Sequence, residues 1–190
     1  MKNKWQLFFA LVVLFQLAVP AKMIWDQEYV LAEGQSFRFK TRAYDPNDPF
    51  RGKYIRLAFE ADILEGNYLS TEGWERGDQV CVWLENDADG FAKIQRITAD
   101  KPTQMVPHLQ AELDYVRDNG ATIRVKYPFE KFYMEESKAP AAEKYYFDLL
   151  RKGEKTVYAL VKVHQGEGVL QDVQVDGQSL RDLVEEIPAK

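Results

Sequence analysis

The sequence predicts a mainly β (α+β) protein, with an N-terminal transmembrane helix followed by an antiparallel β domain that contains one clear helix. Three observations carry this prediction. An uncharged apolar run lies near the N-terminus, apolar and polar residues alternate with period two between turn residues, and two segments of the β region resemble each other. We therefore expect an anchor and juxtamembrane segment over 1–28 and a β domain over 29–190.

Residues 5–21 form the apolar run, which reads WQLFFALVVLFQLAVPA. Lys2 and Lys4 precede it, and a basic flank of this kind stays on the cytoplasmic side of the membrane. The sequence thus predicts a single-pass protein of the cytoplasmic membrane, with the N-terminus inside and the β domain in the periplasm.

The apolar run fits either a cleaved signal peptide or a retained anchor. Val19 and Ala21 supply the small residues of a possible cleavage site. Residues 23–25 instead extend the run past Lys22, toward the roughly 20 apolar residues that a spanning helix needs. The residues alone leave both interpretations open.

Charge and composition exclude several classes of function. The chain has a net charge of −5, and beyond residue 22 its 22 basic and 30 acidic residues give −8, so no general surface for nucleic acid is expected. Cys81 is the single cysteine, which excludes an internal disulfide, and His108 and His164 lack the spacing of metal ligands. The sequence predicts no metal and no cofactor.

The alternating segments define the strands in chain order. Alternation predicts strands over 36–42 and 53–60, the second with Ile55, Leu57 and Phe59 on its buried face. Turn residues then predict three hairpins, which join 80–86 to 91–98, 113–118 to 121–127, and 156–164 to 168–175. An apolar stripe predicts a helix over 140–151 that ends near Gly153.

An internal repeat connects two of these hairpins. Residues 76–98 align with 152–174 without a gap, and Gly77, Gly90 and Gln95 coincide with Gly153, Gly166 and Gln171. The alignment favours a duplication into halves over about 36–100 and 112–177, although two hairpins can resemble each other by chance. We expect such halves to pack their apolar faces together.

The first candidate site is a polar ledge before the strand at 53–60. Two Asp-Pro pairs and Gly52 predict a rigid corner there. The same corner displays groups that can bind a carboxylate, a phosphate or a partner protein. Its candidate binding residues are Asp45, Asp48, Arg51, Gly52, Lys53 and Tyr54.

The second candidate site lies in YPFEKFYMEESKAPAAE, residues 127–143, which is dense in aromatic and acidic side chains. Its candidate binding residues are Tyr133, Glu135, Glu136 and Glu143. Paired carboxylates can divide acid and base roles, but adjacent glutamates in a strand point to opposite faces. The simpler interpretation is that Ser137 or a neighbour caps the helix and that the acids favour its dipole.

Residues 52–59 resemble the motif of the GDYXXLXY family of bacterial membrane-anchored proteins. Gly52, Tyr54 and Leu57 match the motif, whereas Lys53 replaces its Asp and Phe59 replaces its final Tyr. The Asp-Pro pairs at 45–49 and the segment 132–143 also resemble the family. The resemblance implies a retained anchor, an extracytoplasmic domain and association with polytopic membrane proteins, and it implies no reaction.

The sequence therefore predicts a binding or accessory module, held in the bilayer by its N-terminal helix, for an envelope or polytopic membrane protein. No catalytic residue can be assigned. Two alternatives stay open: an envelope hydrolase that uses the clustered carboxylates with Arg or Tyr groups, and a binder of a small ligand between the two halves.

Overall fold

The N-terminal segment is one long helix in the computed structural model, which describes residues 2–42, 54–66, 74–103, 106–117 and 121–185. Helix α1 (Lys2–Glu33) contains the whole apolar run and continues into the β domain. The segment from Lys4 to Glu33 contains an 18-residue stretch with a mean hydropathy of 2.2 and is long and apolar enough to cross a membrane. This confirms an N-terminal apolar helix that fits a membrane anchor or a signal sequence.

The rest of the described chain is rich in β-strands, as the alternation predicts. In chain order the elements are β1 (Gln35–Lys40), β2 (Tyr54–Arg56), β3 (Ile63–Glu65), β4 (Gln79–Asn86), β5 (Ala92–Thr98), β6 (His108–Arg117), β7 (Thr122–Lys126), β8 (Lys131–Tyr133), α2 (Ala139–Lys152), β9 (Val157–His164), β10 (Glu167–Val175), β11 (Gln178–Ser179) and α3 (Leu180–Glu185). The paired strands form three sheets with the orders β3-β7-β6-β4-β5, β1-β9-β10-β11 and β2-β8. These pairings are antiparallel, which confirms the predicted fold class.

The sheets and α2 enclose a single apolar core that contains residues from all three sheets. Aromatic side chains fill its centre, where the Phe39 ring contacts three others edge-on. Its centroid lies 5.6, 5.4 and 5.3 Å from those of Phe59, Tyr127 and Phe129. Ile55, Leu57 and Phe59 are buried, so the predicted inner face of segment 53–60 is confirmed.

The three predicted hairpins form as β4–β5, β6–β7 and β9–β10. The two aligned hairpins each carry a bulge, at Gln95 and at Gln171, which are equivalent positions of the repeat. The sheets nevertheless combine strands from both proposed halves, since β1 pairs with β9 and β3 pairs with β7. The duplication itself stays a prediction.

Several short elements carry too few residues for a sequence period to reveal them, among them β3, β8, β11 and α3. The strand expected over 53–60 is shorter than predicted: β2 ends at Arg56, and a 3-10 turn (Glu60–Asp62) follows. Helix α2 confirms the predicted helix and ends at Gly153, whose φ of 65° suits the left-handed C-cap position.

Helix α1 joins the domain without a loop between them. Val30 is buried against the domain, and the Tyr29 ring meets the His164 ring edge-on with centroids 5.3 Å apart. Gly34 follows the helix directly, and its amide donates to the Val30 carbonyl at 2.9 Å. A Cβ on Gly34 would overlap the Val30 carbonyl oxygen and lie 3.1 Å from the Val163 nitrogen. The backbones of α1 and β9 therefore approach this position too closely for a residue with a side chain.

Candidate functional site

Strands β2 and β8 form a two-stranded ribbon that places Tyr54 of the first predicted site opposite Tyr133 of the second. Tyr54 pairs with Tyr133, and Ile55 pairs with Phe132. Because side chains alternate across a strand, Ile55 and Phe132 point into the core and both tyrosines point outward. The motif segment and the aromatic segment therefore present one shared outer surface.

The outer face of the ribbon carries two tyrosines and Lys131, with Arg56 opposite Lys131. The rings of Tyr54 and Tyr133 have centroids 5.6 Å apart at an interplanar angle of 57°, and the Lys131 ammonium lies 5.0 Å from the Tyr54 centroid. Tyr133 is 60% exposed; within the described part of the chain the other large apolar side chains that are strongly exposed belong to α1. Exposed tyrosine with a neighbouring cation is a combination enriched at binding surfaces.

An ion pair fixes the inner end of the ribbon. The Arg56 guanidinium lies 3.6 Å from the Glu130 carboxylate, and the Glu130 carbonyl accepts a hydrogen bond from the Leu57 amide at 2.8 Å. Burial raises the pKa of Glu130, while the positive charges of Arg56 and Lys126 oppose that rise. Both the backbone and the charge of Glu130 thus hold β8 in register with the chain that follows β2.

A groove of about 490 Å³ opens beside Tyr133. The residues that line it are Gln79, Gln110, Ala111, Glu112, Lys126, Tyr127, Pro128, Glu130, Lys131 and Tyr133. They offer amide, carboxylate and ammonium groups beside the Tyr133 ring. This composition suits a polar chain segment or a small polar ligand.

Glu135, Glu136 and Glu143 do not join this groove. Glu135 is exposed, and its carboxylate accepts a hydrogen bond from the Ser137 hydroxyl at 2.9 Å, which, together with the charge of Lys138, lowers its pKa. Glu136 is also exposed, and Glu143 lies half-buried on α2. An exposed carboxyl with a lowered pKa stays ionised at neutral pH and is a poor general acid.

The start of α2 differs from the predicted cap. Lys138 is the N-cap residue and no side chain caps the helix; instead the Glu135 carbonyl accepts hydrogen bonds from the amides of Lys138 and Ala139, both at 2.9 Å. Ser137 binds the Glu135 carboxylate rather than the helix backbone. No acidic residue lies in the first turn, so the expectation that acids there favour the helix dipole is wrong.

Most of the predicted ledge cannot be placed in the site. Tyr54 begins β2, whereas Asp45, Asp48, Arg51, Gly52 and Lys53 lie outside the described residues. Lys131 and Glu130 were missed by the sequence reasoning. The signal that could have found Lys131 is the alternation around Phe132, which sets Lys131 and Tyr133 on one face.

A second group of charges that sequence reasoning missed lies inside the domain. Asp62 is only 4% exposed, and its carboxylate accepts hydrogen bonds from Arg42 at 3.1 and 3.2 Å and from Arg124 at 3.3 Å. Burial raises the pKa of Asp62, and the two guanidinium groups oppose the rise. Nearby, the Tyr127 hydroxyl donates to the Ala61 carbonyl at 2.6 Å, and burial raises its pKa.

Among the residues that the structure describes, no group of three or more His, Cys, Asp or Glu side chains is placed to hold a metal ion. Cys81 is a buried free thiol whose pKa is raised by burial. A thiol of this kind is a poor nucleophile at neutral pH.

The fold and the outer surface define a β-rich domain carried by an N-terminal apolar helix. The chain belongs to the GDYXXLXY protein family, whose family model matches residues 16–173. Neither the curated proteins nor the solved structures contain a match to the chain.

Proposed function

We propose that the chain is a membrane-anchored extracytoplasmic binding module, which contacts an envelope or polytopic membrane protein through the outer face of the β2–β8 ribbon. The observation that carries this proposal is the exposed Tyr133 ring, which lies tilted against the Tyr54 ring on a strand pair whose other face is fully packed. An exposed aromatic side chain that the fold does not need is a typical anchor of a protein contact.

The sequence before Tyr54 adds to this surface in our proposal. The ledge residues Asp45, Asp48, Arg51, Gly52 and Lys53 directly precede Tyr54 in the chain. A partner that covers the two tyrosines would meet carboxylate and basic groups from this segment. Such a polar rim around an aromatic centre is the usual arrangement of a protein interface.

Retention of the helix is the second part of the proposal. Helix α1 runs without interruption through residues 19–21, where a signal peptide would be cut, and reaches the domain core at Val30. Lys2 and Lys4 favour a cytoplasmic N-terminus, which places the β domain on the opposite, periplasmic side.

A photo-crosslinking residue at position 133 of the full-length chain, in native membranes, tests the contact. We expect one adduct of discrete mass, whose yield falls when Lys131 is replaced by alanine because the partner loses a neighbouring cation. Lys144→Ala is the matched control, since Lys144 is an exposed lysine on α2, away from the ribbon. Equal adduct yields from the two lysine variants would contradict the proposed surface.

The groove beside Tyr133 favours one other function, the binding of a small polar ligand. Gln110 and Glu112 line it from β6, and Lys131 and Tyr133 line it from β8. Thermal unfolding of the protein with a panel of metabolites would detect such a ligand, and Gln110→Ala should abolish any shift. The hydrolase alternative gains no support from Glu135, Glu136 and Glu143, because they do not face this groove.

A further inference from the structure

Gln16 is a polar residue at the middle of an apolar helix. Residues 5–25 form the apolar part of α1, in which Gln6 and Lys22 lie near the two ends and Gln16 lies within one residue of the midpoint. Its side chain is exposed on the helix surface. In a bilayer it would therefore lie at the depth where water is absent and an unsatisfied amide is costly.

Pro20 adds a second polar group at the same place. Helix α1 continues through Pro20, but proline has no backbone N–H and cannot donate to the carbonyl of the residue four positions earlier, which is Gln16. Both the side-chain amide and the backbone carbonyl of Gln16 thus need a partner from outside the helix backbone. In membranes such groups are commonly satisfied by a neighbouring helix.

The residues around Gln16 have the spacing of a helix–helix seam. Positions at intervals of three and four residues share one face, and here they are Phe9, Val12, Gln16, Val19 and Met23. Each of the four apolar members is exposed in the structure. One polar residue among apolar seam positions is the arrangement that fixes register between packed helices.

We propose that this seam binds a transmembrane helix of a partner protein, one that presents a hydrogen-bonding side chain at the middle of the bilayer. The inference deepens the proposed function: the partner that covers Tyr133 outside the membrane would also contact Gln16 inside it. Helix α1 would then recognise the partner as well as anchor the chain.

The position of the β domain favours a different protein over a second copy of this chain. Gln16 and Val30 are two heptads apart and project within about 40° of each other, so the domain that buries Val30 overhangs the seam. From residue 21 to residue 29 the helix rises only about 12 Å. A second copy would bring its own helix and domain into this narrow space, whereas a transmembrane helix with a short external loop fits beneath the overhang.

In-membrane photo-crosslinking of the full-length chain tests the seam. Crosslinkers at Val12 and Val19 sample the seam, and crosslinkers at Leu11 and Leu14 sample other faces. We expect strong adducts from the two seam positions, with the same polypeptide that position 133 captures. Gln16→Leu should lower their yield by about threefold to tenfold, the range for one hydrogen bond between helices in a bilayer.

Gln6→Leu is the matched control, because Gln6 lies near the end of the same helix, where water can satisfy its amide. Equal adduct yields from all four positions, or an unchanged yield with Gln16→Leu, would overturn the proposed seam. In either case, an adduct at position 133 would still support the proposed function. An adduct at twice the mass of the chain would identify a second copy and would also overturn the inference. Seam adducts without an adduct at position 133 would support the seam and contradict the ribbon surface.

Discussion

Asp62 joins segments that are far apart in the chain. Its carboxylate lies 3.1 Å from a guanidinium nitrogen of Arg42 and 3.3 Å from one of Arg124. Both arginines retain some solvent contact, so their charges cost less to bury than that of Asp62. The net effect of burial is that the pKa of Asp62 lies above its ordinary value of 3.8.

Replacement of Asp62 separates the effect of its charge from that of its hydrogen bonds. The folded chain keeps the Asp62 proton to higher pH than the unfolded chain does, so the free energy of unfolding should fall as pH rises through the window that begins at 3.8. Asp62→Asn should flatten this slope with a small effect at neutral pH. Asp62→Ala removes the carboxylate that accepts from both guanidinium groups and should cost about 1–3 kcal/mol.

Urea unfolding at a series of pH values measures both effects. The wild-type chain and the two Asp62 variants need the same detergent and salt, because both influence partly exposed charges. Equal destabilisation by Asp62→Asn and Asp62→Ala would show that the ionised carboxylate outweighs the cost of its burial.

At the scale of elements, the β2–β8 ribbon separates a packing face from a contact face. Phe132 is fully buried, and its ring lies 4.8 Å from the Arg181 guanidinium, whereas the adjacent Tyr133 points to solvent. Because neighbouring residues of a strand point to opposite sides, substitutions at these two positions report on different properties.

Phe132→Ala should lower the free energy of unfolding by about 3–5 kcal/mol, the usual cost of removing a buried phenylalanine. Tyr133→Ala should lower it by less than about 1 kcal/mol, since only the pair with Tyr54 is lost. Denaturant titration of both variants gives the comparison. A large loss of stability in Tyr133→Ala would mean that its exposed ring serves the fold rather than a partner.

The junction between α1 and β1 is a second place where close backbone contacts restrict which residue fits. Gly34 has no room for a Cβ because the Val30 carbonyl and the Val163 nitrogen cannot move independently of helix and sheet. Gly34→Ala should therefore cost about 1–3 kcal/mol, as overpacking usually does. The same substitution should increase the rate of hydrogen exchange at the amides of β1 and β9. An unchanged exchange rate would contradict a rigid junction.

At the scale of the whole molecule, helix α1 and the β domain are joined without a loop. Helix α1 passes from Ala21, the end of the apolar run, to the buried Val30 in nine residues. In the proposed function, a partner bound to α1 would therefore be held at a defined height relative to the β2–β8 ribbon.

Retention of the anchor predicts that the mature protein keeps its N-terminus. Intact mass measurement of the protein from native membranes should give the uncut chain, and alkaline carbonate should leave it in the membrane fraction. The physical reason is an uncharged run that approaches the roughly 20 residues of a spanning helix. A mass that corresponds to cleavage after Ala21 would contradict retention.

Sequence patterns predict some elements of the described structure and miss others. Alternation and turn residues predict β4–β5, β9–β10 and the inner face of Ile55, because these depend on neighbours in the chain. Strands β3 and β8 escape prediction because three residues carry too little of a period.

The sequence by itself determined the apolar helix, the β-rich class, the α2 helix and the two segments that carry Tyr54 and Tyr133. Local periodicity, glycine and charge specify each of these within a few residues. Only the tertiary structure decided that Tyr54 faces Tyr133, that Asp62 meets Arg42 and Arg124, and that Val30 packs against the β domain. Those contacts join distant positions, so they arise from packing of the whole core and leave no signal in any single stretch of chain.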